Sequence, residues 1–266
     1  MQIDNISIND ISIFHQEEEF SIFHRMNFTR TSGGKAWLYK YFNEPFSDIQ
    51  KIRGTQDLIR TLLTRIDNWP SDISNGTLLV MDKFLDYPLD PVGASPNELQ
   101  AALYRLLHGA DYSMIKYSVT HFADFFRGLK VILGLLEGAK LPAGPQLYVD
   151  RANQLLREEA LNKLSQIPRG QLIDRRDNLY FAHNLRVRYR HSVLELMEIF
   201  GRLDAWYSMA MAVKTYNLSF PEFVEQETPL VEARQLYHIM LPNPVPYDLL
   251  MNPQHHFLFL TGANMA

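Results

Sequence analysis

The sequence contains no cysteine among its 266 residues. This absence excludes disulfide bonds and every metal site that uses a cysteine ligand. Disulfides persist in oxidising compartments and are rare in the cytosol, so a chain without cysteine fits the reducing cytoplasm. We therefore expect a cytoplasmic protein.

The sequence also lacks an excess of basic residues. Its 26 lysines and arginines are outnumbered by 30 aspartates and glutamates, which gives a formal net charge of −4. A chain with this charge does not attract nucleic acid over its whole surface. Any contact with DNA must therefore come from a local basic patch.

Long apolar runs are missing as well. A transmembrane helix needs roughly 18 consecutive apolar residues, and the longest candidate, Val131 to Leu136, is interrupted by Gly134 and followed by Glu137. Residues 1–10 have neither the basic region nor the apolar region of a signal peptide. The sequence predicts no membrane partner.

No group of residues has the spacing of a catalytic or metal site. His255 and His256 are adjacent, and adjacent side chains on a strand point to opposite faces. His15 and His24 do not have the HExxH spacing of a zinc site, and Ser208 lies outside a nucleophile-elbow pattern. We therefore predict no catalytic residue and no metal ligand in this chain.

The composition that is present is that of a globular protein. Hydrophobic residues make up 46% and charged residues 21%, which argues against disorder. Thr31 or Ser32 is a candidate N-cap, and apolar residues at helical spacing follow it. Gly34, near the start of this helix, predicts close packing of another backbone there. Pro45 ends the helix, and Ser47 is the candidate N-cap of the next one.

Helical periodicity continues through the middle of the chain. From about residue 96, apolar residues recur at intervals of three and four, namely Leu99, Leu103, Leu106, Leu107, Ala110, Met114 and Tyr117. Residues 119–136 are more uniformly apolar than the stretch before them, which is typical of a helix buried in a bundle. A proline- and glycine-containing breaker at 139–145 precedes helices predicted over about 146–164 and from Asp177 to about Tyr216. The predicted fold class is mainly α, a bundle with long helices.

An apolar run at residues 256–260 leads into Thr261 and Gly262 near the C-terminus. A buried strand followed by a glycine turn is how a nucleotide-binding α/β domain begins its phosphate loop, whose pattern is G-x-x-x-x-G-K-[ST]. Here Gly262 is followed by the four x positions of the pattern, residues 263–266. On spacing alone, the alternative is a C-terminal core strand with a loose tail.

The segment Leu-Thr-Gly-Ala-Asn-Met-Ala resembles the T-G-x-N-M-x-G-K-S-T phosphate loop of the MutS family of DNA mismatch-repair ATPases. The asparagine–methionine pair is characteristic of that family. The resemblance implies that Gly262, Ala263, Asn264 and Met265 line the phosphates of ATP through backbone N–H groups. It also implies a fragment cut inside the ATP site, with the catalytic lysine and the magnesium-binding hydroxyl beyond Ala266. We expect the parent to bind ATP and Mg²⁺, and this fragment to bind neither and to be inactive.

A second segment, residues 29–57, resembles the opening of the MutS core domain. That opening reads approximately T-x-T-x-x-G-x-R-x-L, followed by P-L-x-D and R-Q-D. Two positions depart from the pattern: Lys35 is the basic residue after Gly34, one position before the family's arginine, and Thr55 stands where arginine is usual. Each departure keeps or removes one charge at a helix junction, so we expect a weakened contact and an unchanged fold.

Three later segments follow in the family's order. Residues 204–210 resemble its L-D-x-x-x-S-x-A helix, and residues 220–224 resemble the R-P-x-F segment that follows that helix. Residues 236–249 resemble the passage that leads to the phosphate loop, with Tyr247 where asparagine is usual. Between about 66 and 180 the likeness is limited to helical character.

The resemblance divides the chain into two parts. Residues 1–230 are expected to form a helical core and lever domain, and residues 231–266 the first strands of an ABC-type α/β ATPase domain. The resemblance implies a parent that is a DNA-dependent ATPase, binds mismatched DNA and forms a homodimer. The family's mismatch-reading domain and strand-rich clamp are not visible in the sequence, so the DNA structure that is bound stays open.

The densest group of basic and aromatic residues lies near the start of the last predicted long helix. Arg186 and Arg190 are four residues apart and share a helix face with His183. With Arg188 between them, they are candidates for contact with DNA phosphates. The alternative is a solvated helix face whose arginines pair with acidic residues such as Glu195 and Asp177.

A function of a different class also fits the sequence. The chain would then be a helical scaffold for protein–protein contact with a vestigial nucleotide site. Residues 119–136 would serve as interface as well as core in that case. A DNA-independent oligomer would favour the scaffold, and salt-sensitive DNA binding would favour the MutS-like function.

Overall fold

The computed structural model describes residues 11–259, and that part of the chain is mainly helical, as predicted. It contains ten α-helices: α1 (Ile22–Met26), α2 (Ser32–Asn43), α3 (Ile49–Leu63), α4 (Asn75–Asp86), α5 (Glu98–Leu107), α6 (Gly109–Leu135), α7 (Ala143–Leu155), α8 (Glu159–Ser165), α9 (Arg175–His183) and α10 (Arg190–Tyr216). Two strands follow, β1 (Val231–Leu236) and β2 (Tyr247–Met251). No helix within residues 11–259 is both long enough and apolar enough to cross a membrane.

Side-chain caps determine where the helices begin. Thr31 caps α2, as predicted, by accepting a hydrogen bond from a backbone N–H of the first turn. The predicted cap of α3, Ser47, was wrong by one residue, because Asp48 caps that helix. A carboxylate at the cap also complements the positive end of the helix dipole. Ser74 and Asn97 cap α4 and α5 in reciprocal capping boxes.

Two helices of 27 residues each, α6 and α10, form the centre of the bundle. Helix α6 packs against α4, α8 and α9, and α10 packs against α2 and α3. Phe122, Phe125 and Phe126 of α6 are fully buried. Phe125 meets Phe200 of α10 edge to face, with ring centroids 5.8 Å apart. The predicted buried helix over 119–136 is thereby confirmed, apart from its final residue.

All three tryptophans of the chain lie on α10 or against it. Trp206 stacks on Tyr41 of α2. Trp69 stacks on Tyr207, and the centroids of these two rings are 4.5 Å apart. The Arg202 guanidinium carbon lies 3.5 Å from the centre of the Trp37 ring, which is a close cation–π contact. Aromatic side chains therefore fasten α10 to the N-terminal part of the bundle.

The single helix predicted from about residue 96 is broken in the structure. His108 has φ −124° and ψ 50°, outside the helical region, and separates α5 from α6. Ala101 is fully buried and Tyr104 packs against the core, so these residues mark the inner side of α5. The predicted apolar stripe lies on the outer side of α5, where four leucines are exposed: Leu99, Leu103, Leu106 and Leu107.

The continuous helix predicted from Asp177 to about Tyr216 is also interrupted. A π-helical turn, Asn184–Arg188, lies between α9 and α10. The Tyr189 N–H donates to the Asn184 carbonyl at 2.8 Å, which closes the wider turn. This turn contains one residue more than an α-helical turn. Arg186, Arg188 and Arg190 therefore point in directions around the helix axis that differ from those in a continuous α-helix.

The C-terminal part of the described chain contains two paired strands. β1 and β2 are antiparallel, with Val231 opposite Met251, and both strands are exposed over most of their length. The strand predicted over 256–260 is not formed at 256–259, where Phe257 and Phe259 are 78% and 75% exposed. A strand needs a neighbour to satisfy its backbone groups, and none pairs with this segment within residues 11–259.

Candidate functional site

The Asp204 carboxylate of α10 lies at the N-terminal end of α2. It accepts hydrogen bonds from the backbone N–H groups of Arg30 and Thr31, at 3.0 and 2.9 Å, and from the Thr31 hydroxyl at 2.7 Å. Asp204 is fully buried. A buried carboxylate is tolerated only when its oxygens are hydrogen-bonded, and here the start of α2 supplies the donors.

The electrostatics of Asp204 indicate a structural role. Burial raises the pKa of the carboxyl group, and the hydrogen bonds from Arg30 and Thr31 oppose that shift. The Arg30 guanidinium donates to the Tyr207 hydroxyl at 3.1 Å and to the Pro70 carbonyl at 3.2 Å. Asp204 is closed off from solvent and its oxygens accept hydrogen bonds from its own chain, which is the arrangement of a structural carboxylate.

Gly34 lies directly against Asp204. A Cβ atom built on Gly34 would lie 2.1 Å from Oδ2 and 2.6 Å from Cγ of Asp204, so a side chain at this position does not fit. The close packing predicted at Gly34 is present, but the prediction of its partner was wrong. The partner is a side chain of α10 and not another backbone, which the local sequence around Gly34 does not specify.

Ser208 makes a second contact one turn further along α10. Its hydroxyl accepts a hydrogen bond from the Phe28 N–H at 2.7 Å and donates one to the Met26 carbonyl at 2.8 Å. Asp204 and Ser208 are four residues apart, so they project from the same side of the helix. We call the contacts of these two side chains with residues 26–34 the α10 joint.

A further connection joins α3 to the extended segment that follows α10. Gln56 is buried, and its side-chain N–H donates to the Pro221 carbonyl at 2.9 Å. The Arg53 guanidinium donates to the Phe223 carbonyl at 3.2 Å. We call these two contacts the α3 joint. They fix the direction in which the chain leaves the bundle towards β1.

Two of the three predicted nucleic-acid-binding arginines hold the end of α4. Arg186 donates to the Tyr87 carbonyl, and Arg190 donates to the Leu85 carbonyl and the Asp86 carboxylate, both at 2.6 Å. The last carbonyls of a helix have no partner within the helix. Arg186 and Arg190 supply those partners, so much of their hydrogen-bonding capacity is used inside the molecule.

Arg188 is placed differently from its two neighbours. Its side chain is exposed, and its guanidinium carbon lies 5.1 Å from the centre of the Tyr189 ring. Of the two predicted acidic partners of this region, Glu195 pairs instead with Arg151 at 2.7 Å, and Asp177 lies 3.7 Å from Arg176. Arg188 is therefore the one of the three arginines that faces solvent, where an external phosphate could reach it.

Three residues that sequence spacing did not single out meet where α5 joins α6. Asp90, His108 and Asp111 each place one potential ligand atom within 4.8 Å of the others. His108 Nδ1 lies 2.6 Å from Asp90 Oδ2, and the Tyr104 ring stacks on His108 with centroids 4.8 Å apart. One imidazole and two carboxylates form a donor set that a divalent metal accepts. In the structure, His108 and Asp90 of this set already contact each other.

The two carboxylates of this cluster act on the hydroxyl group of Tyr104. Burial, together with the nearby Asp111 and Asp90 carboxylates, raises the pKa of the Tyr104 hydroxyl to about 12. The Asp90 N–H also donates to the Asp111 carboxylate at 3.2 Å, which holds the loop against α6. Sequence reasoning missed this cluster because α5 separates Asp90 from His108, and no known motif has that spacing.

A wide cleft of about 1300 Å³ separates the extended segment after α10 from β1. Its lining includes Glu222, Glu227 and Glu232, and its basic residue, Arg234, pairs with Glu232 at 3.0 Å. An acidic lining repels phosphate groups. This cleft is therefore a poor site for a nucleotide.

The predicted nucleotide-binding residues, Gly262, Ala263, Asn264 and Met265, lie outside the described residues. Binding of ATP and Mg²⁺ by the parent stays a prediction. Comparison with known proteins gives no family: no family model matches the chain, and no curated protein matches it significantly.

Proposed function

We propose that this chain is the core and lever part of a MutS-like DNA-repair ATPase, and that it carries motion between DNA and a nucleotide site. The observation that carries the proposal is that the segments resembling MutS, which are far apart in sequence, contact each other in the fold. Thr31 of segment 29–57 contacts Asp204 of segment 204–210 at the α10 joint. Gln56 of segment 29–57 contacts Pro221 of segment 220–224 at the α3 joint.

These contacts support the proposal because they give the pattern residues complementary tasks. Thr31 caps α2, Gly34 leaves room for the Asp204 carboxylate, and the spacing from Asp204 to Ser208 places both side chains on one side of α10. Thr31 and Asp204 are separated by 173 residues. The two patterns therefore contact each other although they are far apart in the sequence.

The length and attachments of α10 support the lever role. Its 27 residues span about 40 Å at 1.5 Å per residue. Arg190 fastens its first turn to the end of α4, and the Tyr216 carbonyl in its last turn accepts a hydrogen bond from the Tyr237 hydroxyl, next to β1. A stiff helix held at both ends would transmit a displacement of the β1–β2 hairpin to the Arg186–Arg190 region.

In this proposal, residues 231–266 belong to an ABC-type ATPase domain whose phosphate loop begins at Gly262. The parent binds ATP and Mg²⁺, contacts mismatched or other DNA, and works as a cytoplasmic homodimer. Gly262, Ala263, Asn264 and Met265 contact the phosphates.

The test is ATP binding by the chain extended through the ATPase domain that its gene is expected to encode. We expect the extended chain to bind a fluorescent ATP analogue with Mg²⁺, and duplex DNA to change that affinity, because coupled sites alter each other's binding. The 266-residue chain is the first control and should not bind. Asn264→Ala should weaken binding in the extended chain, whereas Asn153→Ala, on the exposed side of α7, should leave it unchanged.

Two outcomes would contradict the proposal. One is a gene in which no G-K-[ST] pattern follows Ala266 at the phosphate-loop spacing. The other is an extended, folded chain that does not bind ATP.

A second function is favoured by the exposed leucines of α5. A helical scaffold for protein–protein contact needs an apolar contact surface, and Leu99 and Leu106 are 78% and 80% exposed. Most apolar side chains of residues 119–136 are buried in the bundle and do not supply such a surface. A DNA-independent oligomer that resists salt favours the scaffold. Loss of DNA affinity between low and moderate salt favours the MutS-like function, because counterion release sets that slope.

A further inference from the structure

The segments on either side of α5 bring one imidazole and two carboxylates together. Asp90 lies in the loop before α5, His108 lies at the helix break after it, and Asp111 lies in the first turn of α6. Each residue places one potential ligand atom within 4.8 Å of the other two. Within residues 11–259, no other group of three histidine or acidic side chains meets this limit. The arrangement is therefore particular to this part of the fold.

Contacts around the cluster hold its side chains in position. The Tyr104 ring stacks on the His108 imidazole at 4.8 Å between centroids, with 30° between the ring planes. The Tyr104 hydroxyl donates to the Asp90 carbonyl at 3.3 Å, and the Asp90 N–H donates to the Asp111 carboxylate at 3.2 Å. Supporting contacts of this kind orient the ligands of a metal site.

The charge of the cluster suits a divalent cation. Asp90 and Asp111 carry two negative charges, and their effect, after that of burial, contributes to the raised pKa of Tyr104. Arg186 also acts electrostatically on Asp111, but its guanidinium donates to the Tyr87 carbonyl. The Asp90 carboxylate contacts His108 at 2.6 Å. A metal ion bound here would use the lone pairs that this contact now joins through a proton.

The cluster is open to solvent on one side. The side chains of His108 and Asp90 are 35% and 58% exposed. A cation can therefore enter without rearrangement of the bundle, and water can complete its coordination.

The donor set selects the kind of ion. Calcium takes 6–8 oxygen ligands, and magnesium requires an octahedron of oxygens, so three ligands that include an imidazole nitrogen suit neither. Imidazole and carboxylate together suit zinc and related transition metals. Zinc accepts three protein ligands with water in the fourth position of a tetrahedron.

We propose that Asp90, His108 and Asp111 bind one divalent transition-metal ion, for which Zn²⁺ is the best match. Asp90 and Asp111 are 21 residues apart, with α5 between them, so the ion would close a loop around that helix. Sequence spacing predicted no metal ligand in this chain, and the proposal revises that prediction. It does not depend on the MutS-like function.

Calorimetric titration of the metal-free 266-residue chain with ZnCl₂ is the first test. We expect one ion to bind at this site. His108→Ala and Asp111→Asn should each weaken that binding at least about tenfold, because even the loss of a group that only supports a ligand costs about 10–100-fold. Asp111→Asn keeps the shape of the side chain, and thermal unfolding checks that both variants are folded.

Two control variants separate this site from adventitious binding. The double variant His255→Ala, His256→Ala removes the one adjacent histidine pair of the sequence. Asp82→Asn makes the same chemical change as Asp111→Asn at an exposed position of α4. Both controls should keep the zinc affinity of the natural chain at the α5 site.

Backbone hydrogen exchange locates the bound ion independently of the variants. Zn²⁺ should slow exchange in peptides from residues 87–111, because an ion that binds the folded loop opposes its local opening. Peptides from α7 should exchange at the same rate with and without the metal. His108→Ala should abolish the protection of residues 87–111.

Three results would overturn the proposal. The first is a natural chain that binds no zinc. The second is zinc binding of equal strength in the natural chain, His108→Ala and Asp111→Asn, or binding that only the His255→Ala, His256→Ala variant loses, which would mean an adventitious ion only. The third is a zinc-bound chain in which residues 87–111 gain no protection from exchange.

Discussion

The Thr31 hydroxyl donates a hydrogen bond to the Asp204 carboxylate at 2.7 Å while it accepts one from the Gly34 N–H at 3.1 Å. The cap of α2 and the contact of α2 with α10 therefore share one hydroxyl group. Loss of the Thr31 hydroxyl would therefore remove the side-chain cap of α2 and one of its contacts with α10 together.

Replacing Asp204 with alanine should destabilise the fold by about 3 kcal/mol or more. The change leaves the Arg30 and Thr31 N–H groups and the Thr31 hydroxyl buried without their acceptor, and each such loss costs about 1–3 kcal/mol. Urea unfolding gives the free energy of unfolding. Asp82→Ala, at an exposed position of α4, is the control and should change stability by less than about 0.5 kcal/mol. Equal stability of the two variants would mean that the α10 joint contributes little.

Two neighbouring glycines of α2 should respond in opposite ways to alanine. Gly34→Ala places a Cβ 2.1 Å from Asp204 Oδ2, so we expect a loss of about 2 kcal/mol or more from the forced separation of α2 and α10. Gly33→Ala meets no atom within 4 Å and should be neutral or stabilising by up to about 1 kcal/mol. Thermal unfolding of the two variants side by side decides the point. Similar melting temperatures would contradict the tight contact.

The pKa of Asp204 should make stability depend on pH. Burial raises the folded-state pKa of this carboxyl group above its ordinary value of about 3.9, so the folded chain holds the proton more tightly than the unfolded chain. Tighter proton binding adds to the free energy of unfolding. This contribution is complete at pH values below the pKa of Asp204 in the unfolded chain, and it is lost as pH rises through the pKa in the folded chain.

Comparison with Asp204→Asn, which does not titrate, isolates this effect. We expect the stability of the natural chain relative to the variant to fall as pH rises through that window and to be constant at neutral pH. The carboxyl carbon of Asp204, followed by NMR, should titrate above about 3.9. Titration below that value would show that the three hydrogen bonds outweigh burial.

The three arginines near the start of α10 should separate into two classes. Arg186→Ala and Arg190→Ala each remove hydrogen bonds to the end of α4, so each should lower the free energy of unfolding by about 1–3 kcal/mol. Arg188→Ala should change stability by less than about 0.5 kcal/mol, because that side chain is exposed. A large stability loss with Arg188→Ala would contradict this assignment.

Binding to duplex DNA should show the opposite ranking. If the region contacts phosphates, Arg188→Ala should weaken binding equally for all sequences and reduce the salt dependence by about one counterion. Fluorescence anisotropy at two salt concentrations measures both quantities. Arg190→Ala, once shown to be folded, is the control and should keep the natural affinity. Unchanged binding with Arg188→Ala would exclude this residue from the DNA contact.

Local features of the fold could be predicted from the sequence because local interactions determine them. Thr31 caps a helix through its own neighbours, and residues 119–136 are rich in large apolar side chains, so a largely buried helix follows from composition. The exposure of Leu99 and Leu106 could not be predicted, because periodicity shows that a stripe exists but not whether a neighbour covers it. The helix breaks at His108 and at the π-helical turn were missed for a related reason, since apolar spacing continues across both.

The same limit applies to the site residues: the sequence did not specify their tertiary partners. Asp204 and Ser208 were singled out only by the resemblance of residues 204–210 to the L-D-x-x-x-S-x-A helix, and their partners near residues 26–34 are specified only by the tertiary fold. The roles of Arg186 and Arg190 depend on carbonyl groups at the end of α4, which have no sequence signature. The cluster of Asp90, His108 and Asp111 likewise exists only because α5 folds back to the loop before it.

The position of the three tryptophans gives the protein a built-in optical reporter. Trp37, Trp69 and Trp206 all lie where α10 meets the N-terminal part of the bundle, one under a guanidinium and two stacked on tyrosines. The fluorescence emission of these tryptophans therefore depends on the environment of that contact, and no attached dye is needed to follow it. A ligand that shifts α10 against α2 should change the tryptophan spectrum, whereas events confined to α5 and α6, which contain no tryptophan, should leave it unchanged.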